Sequence, residues 1–170
     1  MKTRSIALVV MLALIAIGAS LFAYQSADAK GPKPKPIDFT LTNTDDKKVK
    51  LADYRGKVVV IDVWATWCGY CVRETPDLIA VQEEATKNKQ KLQLIGISVD
   101  EDKEAVKEFV EKHGVNYPIL YAEKDAMKQL GEVYGYPTKF ILNEKGVIVD
   151  TIVGAVDKAT LKKRLAKYLK

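Results

Sequence analysis

Residues 57–64, Lys-Val-Val-Val-Ile-Asp-Val-Trp, limit the fold more than any other stretch of the chain. The run is β-branched and apolar on both faces except at Asp62, the pattern of a strand covered from both sides. Residues 92–99 repeat that pattern. Between and after these strands the apolar period changes to that of a helix. Residues 69–88 put Leu78, Val81 and Ala85 on one side, and residues 101–113 turn Val106, Phe109 and Val110 inward before Gly114 stops them. Repeated switching between the two periods predicts an α/β domain.

The remaining elements are shorter. Residues 37–41 and 49–51 read as strands around the turn-rich Asn43-Thr44-Asp45-Asp46, residues 118–121 as a strand and residues 125–133 as a helix. Residues 138–142 and 147–153 flank Asn143-Glu144-Lys145-Gly146, a turn suited to a hairpin. Asp157 caps a last helix carrying Leu161, Leu165 and Leu169.

Before residue 37 the chain is of another kind. Lys2 and Arg4 precede an uncharged, almost wholly apolar stretch over residues 6–24, followed by Ala27-Asp28-Ala29 with the spacing of a signal-peptidase site. Residues 1–29 therefore read as an export signal, either cleaved after Ala29 or kept as a membrane anchor. Either outcome places the domain outside the cytoplasm, in the periplasm or at the outer face of the membrane. Residues 30–36 alternate Lys with Pro, an extended solvated linker, and the folded domain spans residues 37–170. The net charge of +5 arises from basic residues spread along the chain. No cluster with interleaved aromatics suggests a nucleic-acid partner, and no heptad argues for assembly, so a monomer is expected.

The chain has two cysteines, Cys68 and Cys71, directly after the central strand and at the start of a helix. The free N–H groups and positive dipole end of a helix N-terminus favour a thiolate, which makes Cys68 the nucleophile. Cys71, one turn into the helix, is placed to close a disulfide and to resolve a mixed one. A static bridge across so short a loop would restrain the unfolded chain little. With His113 the single histidine, a four-coordinate zinc lacks ligands. Covalent haem attachment needs His where Val72 stands. No metal or other cofactor is expected.

Trp64-Ala65-Thr66-Trp67-Cys68-Gly69-Tyr70-Cys71 with Pro76 beyond it, and Gly135-Tyr136-Pro137-Thr138 downstream, resemble the thioredoxin superfamily, in particular its exported TlpA/ResA-like branch. The resemblance covers residues 36–170. It implies a thioredoxin-like fold: a central mixed sheet flanked by helices, an N-terminal β extension and a central αβ insertion, matched here by residues 96–118. It implies a thiol–disulfide oxidoreductase that reduces disulfides in exported proteins, with apocytochrome c as a substrate class and a membrane electron donor recharging the cysteines. Gly69-Tyr70 departs from the Glu-Pro common in ResA-like proteins and matches the periplasmic disulfide isomerase, so isomerisation or oxidation stays open. Ala65 and Ile61 occupy positions where a peroxiredoxin-like peroxidase has Thr and Pro. A copper metallochaperone using the two thiolates is a further reading.

Within the resemblance, Asp62 matches the buried Asp of cytoplasmic thioredoxins, a base for the Cys71 thiol. Glu74 corresponds to an acidic residue beside the active site, with a solvated first-turn Glu as the alternative. Pro137 resembles the family's cis-proline, with Tyr136 before it leaving backbone free for a substrate strand. Trp67 would cover the cysteine pair, unless it packs in the core.

Overall fold

The computed structural model describes residues 34–169; the export segment expected over residues 1–29 lies outside them. Among the described residues no helix is long and apolar enough to cross a membrane.

The doubly apolar run becomes the middle of the sheet. Val58–Trp64 (β3) pairs in parallel with Leu92–Ser98 (β4) and antiparallel with Thr138–Leu142 (β6). Ile119–Tyr121 (β5) lies outside β4 and Ile148–Val153 (β7) outside β6, giving the order β5-β4-β3-β6-β7. Thr40–Thr42 (β1) and Lys48–Lys50 (β2) form a separate two-stranded hairpin, joined to β5 by a bridge from Asn43 to Leu120.

Alternate residues of β3 feed two cores, as the two-residue period of a strand requires. Val58, Val60 and Trp64 meet Gly69–Lys87 (α1), Lys103–His113 (α2) and Lys158–Leu165 (α4) through Leu78, Val81, Val106, Phe109 and Leu161. Val59, Ile61 and Val63 pack on Leu41, Leu51 and the buried Ala126 and Leu130 of Lys124–Leu130 (α3). This is a thioredoxin-like α/β fold, with an N-terminal hairpin and α2–β5 following β4.

Some boundaries moved for local reasons. The strand read over residues 37–41 begins at Thr40, because the Ile37 amide donates to Gly146 O at 2.9 Å instead of to a neighbouring strand. The helix read over residues 125–133 ends at Leu130, where Gly131 turns to φ 101°, a left-handed conformation that a helix cannot continue through. The helix read from residue 101 starts at Lys103, since the Asp102 carboxylate caps it through the amides of Glu104 and Ala105.

Candidate active site

β3 delivers its C-terminal end into a short loop, and α1 starts from that loop. Cys68 is the N-cap of α1 and its Sγ accepts from the Cys71 amide at 3.2 Å. Cys68 and Cys71 are joined as a disulfide, with Cα atoms 5.3 Å apart. Both are buried, Cys71 at 3% exposure and Cys68 at 7%, so the approach to sulfur is through the few atoms that Cys68 presents. Asp100, at the end of β4, holds the loop in place. Its carboxylate accepts from the Thr66 amide at 3.0 Å, the Thr66 hydroxyl at 2.5 Å and the Ser98 hydroxyl at 2.7 Å.

The surface around the disulfide is aromatic. Trp67 is 68% exposed and Tyr70 64%, which overturns the core-packing reading of Trp67. The Trp67 ring meets the Tyr136 ring edge-on at 5.8 Å, joining the cysteine loop to the loop before β6. The Tyr136–Pro137 peptide is cis. The Pro137 carbonyl accepts from the Gly154 amide at 2.8 Å, and the Thr138 hydroxyl donates to Gly135 O at 2.6 Å. Tyr136, Pro137, Trp67 and the cysteines therefore share one end of the sheet.

Beneath that end lies a cluster of buried charge. Asp62, 5% exposed, stands in regular register within β3. Its partner across the parallel ladder is Gly96, which offers no side chain; a Cβ there would lie 2.9 Å from Trp64 Nε1. Across the antiparallel ladder its partner is Lys139, and directly opposed residues point to the same face of a sheet. The fully buried Lys139 ammonium lies 3.5 Å from Asp62 Oδ1 and 2.6 Å from Glu74 Oε2. Glu74, 3% exposed, is thus no solvated first-turn carboxylate. Its other oxygen accepts from the Val156 amide at 2.9 Å, while Lys139 Nζ reaches Gly154 O at 3.3 Å.

Two carboxyls share one ammonium, and burial favours their neutral forms. Burial pushes Asp62 up from the usual carboxylate range, with Lys139 opposing it in part. Glu74 is pushed up to about 7, by burial first and then by the charge of Asp62, against Lys139 and the Val156 amide. Glu74 keeps the closer ammonium and an N–H donor from Val156, whereas Asp62 has only the more distant approach of the same ammonium. In this disulfide form Asp62 is on these grounds the better place for a shared proton. Tyr117, also buried, is held well above its ordinary value by burial and by both carboxylates.

Lys139 is absent from the sequence reading. Its signal was a lone charge in the apolar stretch 138–142, the same break that singled out Asp62. Among the described residues no group of three or more His, Cys, Asp or Glu side chains is arranged to hold a metal ion.

The AhpC/TSA family pattern matches residues 33–151. Thiol-disulfide oxidoreductase ResA of Geobacillus thermodenitrificans is 30% identical over 167 residues, which cover 95% of this chain and 92% of that one. The ResA of Bacillus anthracis is 33% identical over 174 residues, covering 98% and 97%. Among solved structures, a thioredoxin-family thiol:disulfide interchange protein of Chlorobium tepidum superposes with a TM-score of 0.74 at 27% identity, over 82% of this chain and 99% of that one.

Proposed function

The chain belongs to the AhpC/TSA family and is a thiol–disulfide oxidoreductase of the ResA type, and from that membership we propose that it reduces disulfides of exported proteins outside the cytoplasm. The observation that carries this reading is the Cys68–Cys71 disulfide at the N-terminus of α1, above buried Asp62, Lys139 and Glu74. In the reduced protein the Cys68 thiolate attacks a substrate disulfide. An S–S bond forms between Cys68 and one substrate sulfur, and the other substrate sulfur leaves as a thiolate that takes up a proton. Cys71 then gives its proton to Asp62 and attacks Cys68 Sγ, releasing the second substrate thiol and leaving the protein oxidised. The substrate has gained two electrons, and a donor dithiol must return the protein to its reduced form.

Trp67, Tyr136 and the backbone beside Pro137 support docking of an extended substrate segment over Cys68. Residues 1–29 supply the export signal, and a donor in the membrane is the partner that recharges the cysteines. Apocytochrome c, with its paired cysteines, is the substrate class we favour. The second reading, isomerase or oxidase, is favoured by Gly69-Tyr70 between the cysteines.

Trapping tests the reading. Cys71→Ser, expressed with its own N-terminus, is expected to accumulate mixed disulfides through Cys68 with exported proteins, cytochrome c precursors among them, while Cys68→Ser accumulates none. Mixed disulfides formed only with cytoplasmic proteins would overturn it. N-terminal sequencing settles the anchor, since a mature chain beginning at Lys30 rules it out.

A further inference from the structure

The lysines are scattered in sequence, but the topology collects many of them at one pole. β3 and β4 start at the end of the sheet away from the cysteines, with Lys57 and Lys91 just before them. The 19-residue α1 carries the chain from Cys68 to that same end and leaves Lys87 and Lys89 there. The β6–β7 turn adds Lys145, and the chain after α4 returns with Lys167. Two adjoining clefts confirm the grouping. One is lined by Lys89, Lys91, Glu144 and Tyr168, and the other by Glu144, Lys145, Lys167 and Tyr168.

Lys57, Lys87, Lys89, Lys91, Lys145 and Lys167 are all exposed. Among the described residues none of them forms an ion pair, since the pairs engage Lys48, Lys107, Lys139, Lys158, Lys162, Arg55 and Arg164. At the cysteine end, where the exposed Arg73 lies over the Tyr70 ring, the cleft beside Trp67 carries the opposite sign. Asp100, Glu101 and Asp102 line the cleft beside Trp67. The seven residues of β3 separate the two ends by roughly 20 Å. That is about twice the screening length at 0.1 M salt, so each end meets a charged surface on its own terms.

The linker leaves the domain at the basic pole. The Ile37 amide is bound to Gly146 O, next to Lys145, and the Arg55 guanidinium donates to the Ile37 carbonyl at 2.7 Å. Lys30, Lys33 and Lys35 follow in the linker. A lysine cluster where the chain departs toward an apolar N-terminal stretch has one natural counterpart, an anionic bilayer surface.

We propose that the lysine pole is a docking surface for anionic lipid headgroups, which holds the domain with Trp67 and the cysteines turned away from the bilayer. Each lysine close to an anionic leaflet adds roughly fivefold to binding, and repulsion of the acidic rim disfavours the reverse orientation. The inference goes beyond the redox reading and does not depend on whether residues 1–29 are cleaved. It gives the enzyme a fixed presentation: sulfur chemistry faces soluble or emerging substrates, not the lipid.

The test uses residues 35–170, which contain both cores and all seven strands. Vesicles of phosphatidylcholine mixed with phosphatidylglycerol are compared with phosphatidylcholine alone. The domain is expected to sediment with the anionic vesicles only, and to be released at about 0.5 M salt. Lys91→Glu/Lys145→Glu/Lys167→Glu is expected to lose at least tenfold in binding, with insulin disulfide reduction unchanged. Lys47→Glu/Lys103→Glu/Lys124→Glu alters net charge equally, off the pole, since the turn holding Lys47 is bound to β5 beside the C-terminal half of β4, and is expected to retain binding. A headgroup spin label is expected to leave Trp64 and Trp67 fluorescence unquenched. Equal binding to both vesicle types, equal loss in both triple variants, or quenching of tryptophan by the label would each overturn the proposal.

Discussion

Lys139 stands directly across the β3–β6 ladder from Asp62, fully buried, with its ammonium 3.5 Å from the Asp62 carboxylate. The same ammonium lies 2.6 Å from Glu74. Two buried acids on one buried base cannot all carry charge at low cost, so in the disulfide form the cluster holds a proton, the one that Cys71 gives up as it resolves a mixed disulfide. The first predictions test that arrangement.

Asp62→Asn removes the proton acceptor and one of the two competing carboxyls. Stability at pH 7 is expected to rise by about 1 kcal/mol, because a buried acid with a poor partner is lost. Resolution of a mixed disulfide by Cys71 is expected to slow about tenfold or more near neutral pH. Stopped-flow measurement of both half-reactions checks this, and an unchanged resolution rate would remove Asp62 from the mechanism.

Lys139→Met leaves Asp62 and Glu74 without their buried cation. At pH 8 the variant is expected to lose about 3–5 kcal/mol, and to recover part of it at pH 5, where both carboxyls take up protons. Both carboxyls should titrate higher than in the parent, a shift visible by NMR of the side-chain carbons.

The pH dependence has a defined sign. Glu74 titrates at about 7 in the folded protein against 4.5 as its ordinary value, so between these values the folded state binds more protons than the unfolded one. Stability therefore falls as pH rises from 4.5 to about 7, by at most roughly 3.5 kcal/mol from this group. Asp62, also raised, acts in the same direction. Chemical denaturation across that window should show the fall, and Glu74→Gln should flatten it.

Trp67 meets Tyr136 edge-on and is 68% exposed. Trp67→Ala is expected to change stability by less than about 0.5 kcal/mol and to leave the reduction potential unaltered. The kcat/KM for a protein disulfide should fall about tenfold, since exposed aromatics of this kind anchor partners. A shifted potential with unchanged kcat/KM would make Trp67 a part of the redox tuning instead.

Much of this was legible in the sequence, because it rests on local pattern. The doubly apolar β3, the cysteines at a helix start and the periods of α1 and α2 involve neighbours in the chain, and periodicity reads neighbours well. Asp62 was visible as a charge in an apolar run. Lys139 made the same kind of break, but its pairing with Asp62 could not be read, because that depends on the β3–β6 register between segments more than seventy residues apart. Glu74 could be read either way until α1 was seated on the sheet beside Val156. The lysine pole was hidden for the same reason: its members run from Lys57 to Lys167, and only the strand directions bring them together.

Whether Cys68 and Cys71 donate electrons is decided by the reduction potential of residues 30–170 in a defined thiol–disulfide buffer, followed by alkylation and tryptophan fluorescence. A reductase that must be recharged is expected near or below roughly −250 mV; a value of roughly −120 to −180 mV would make the protein an oxidant or isomerase instead.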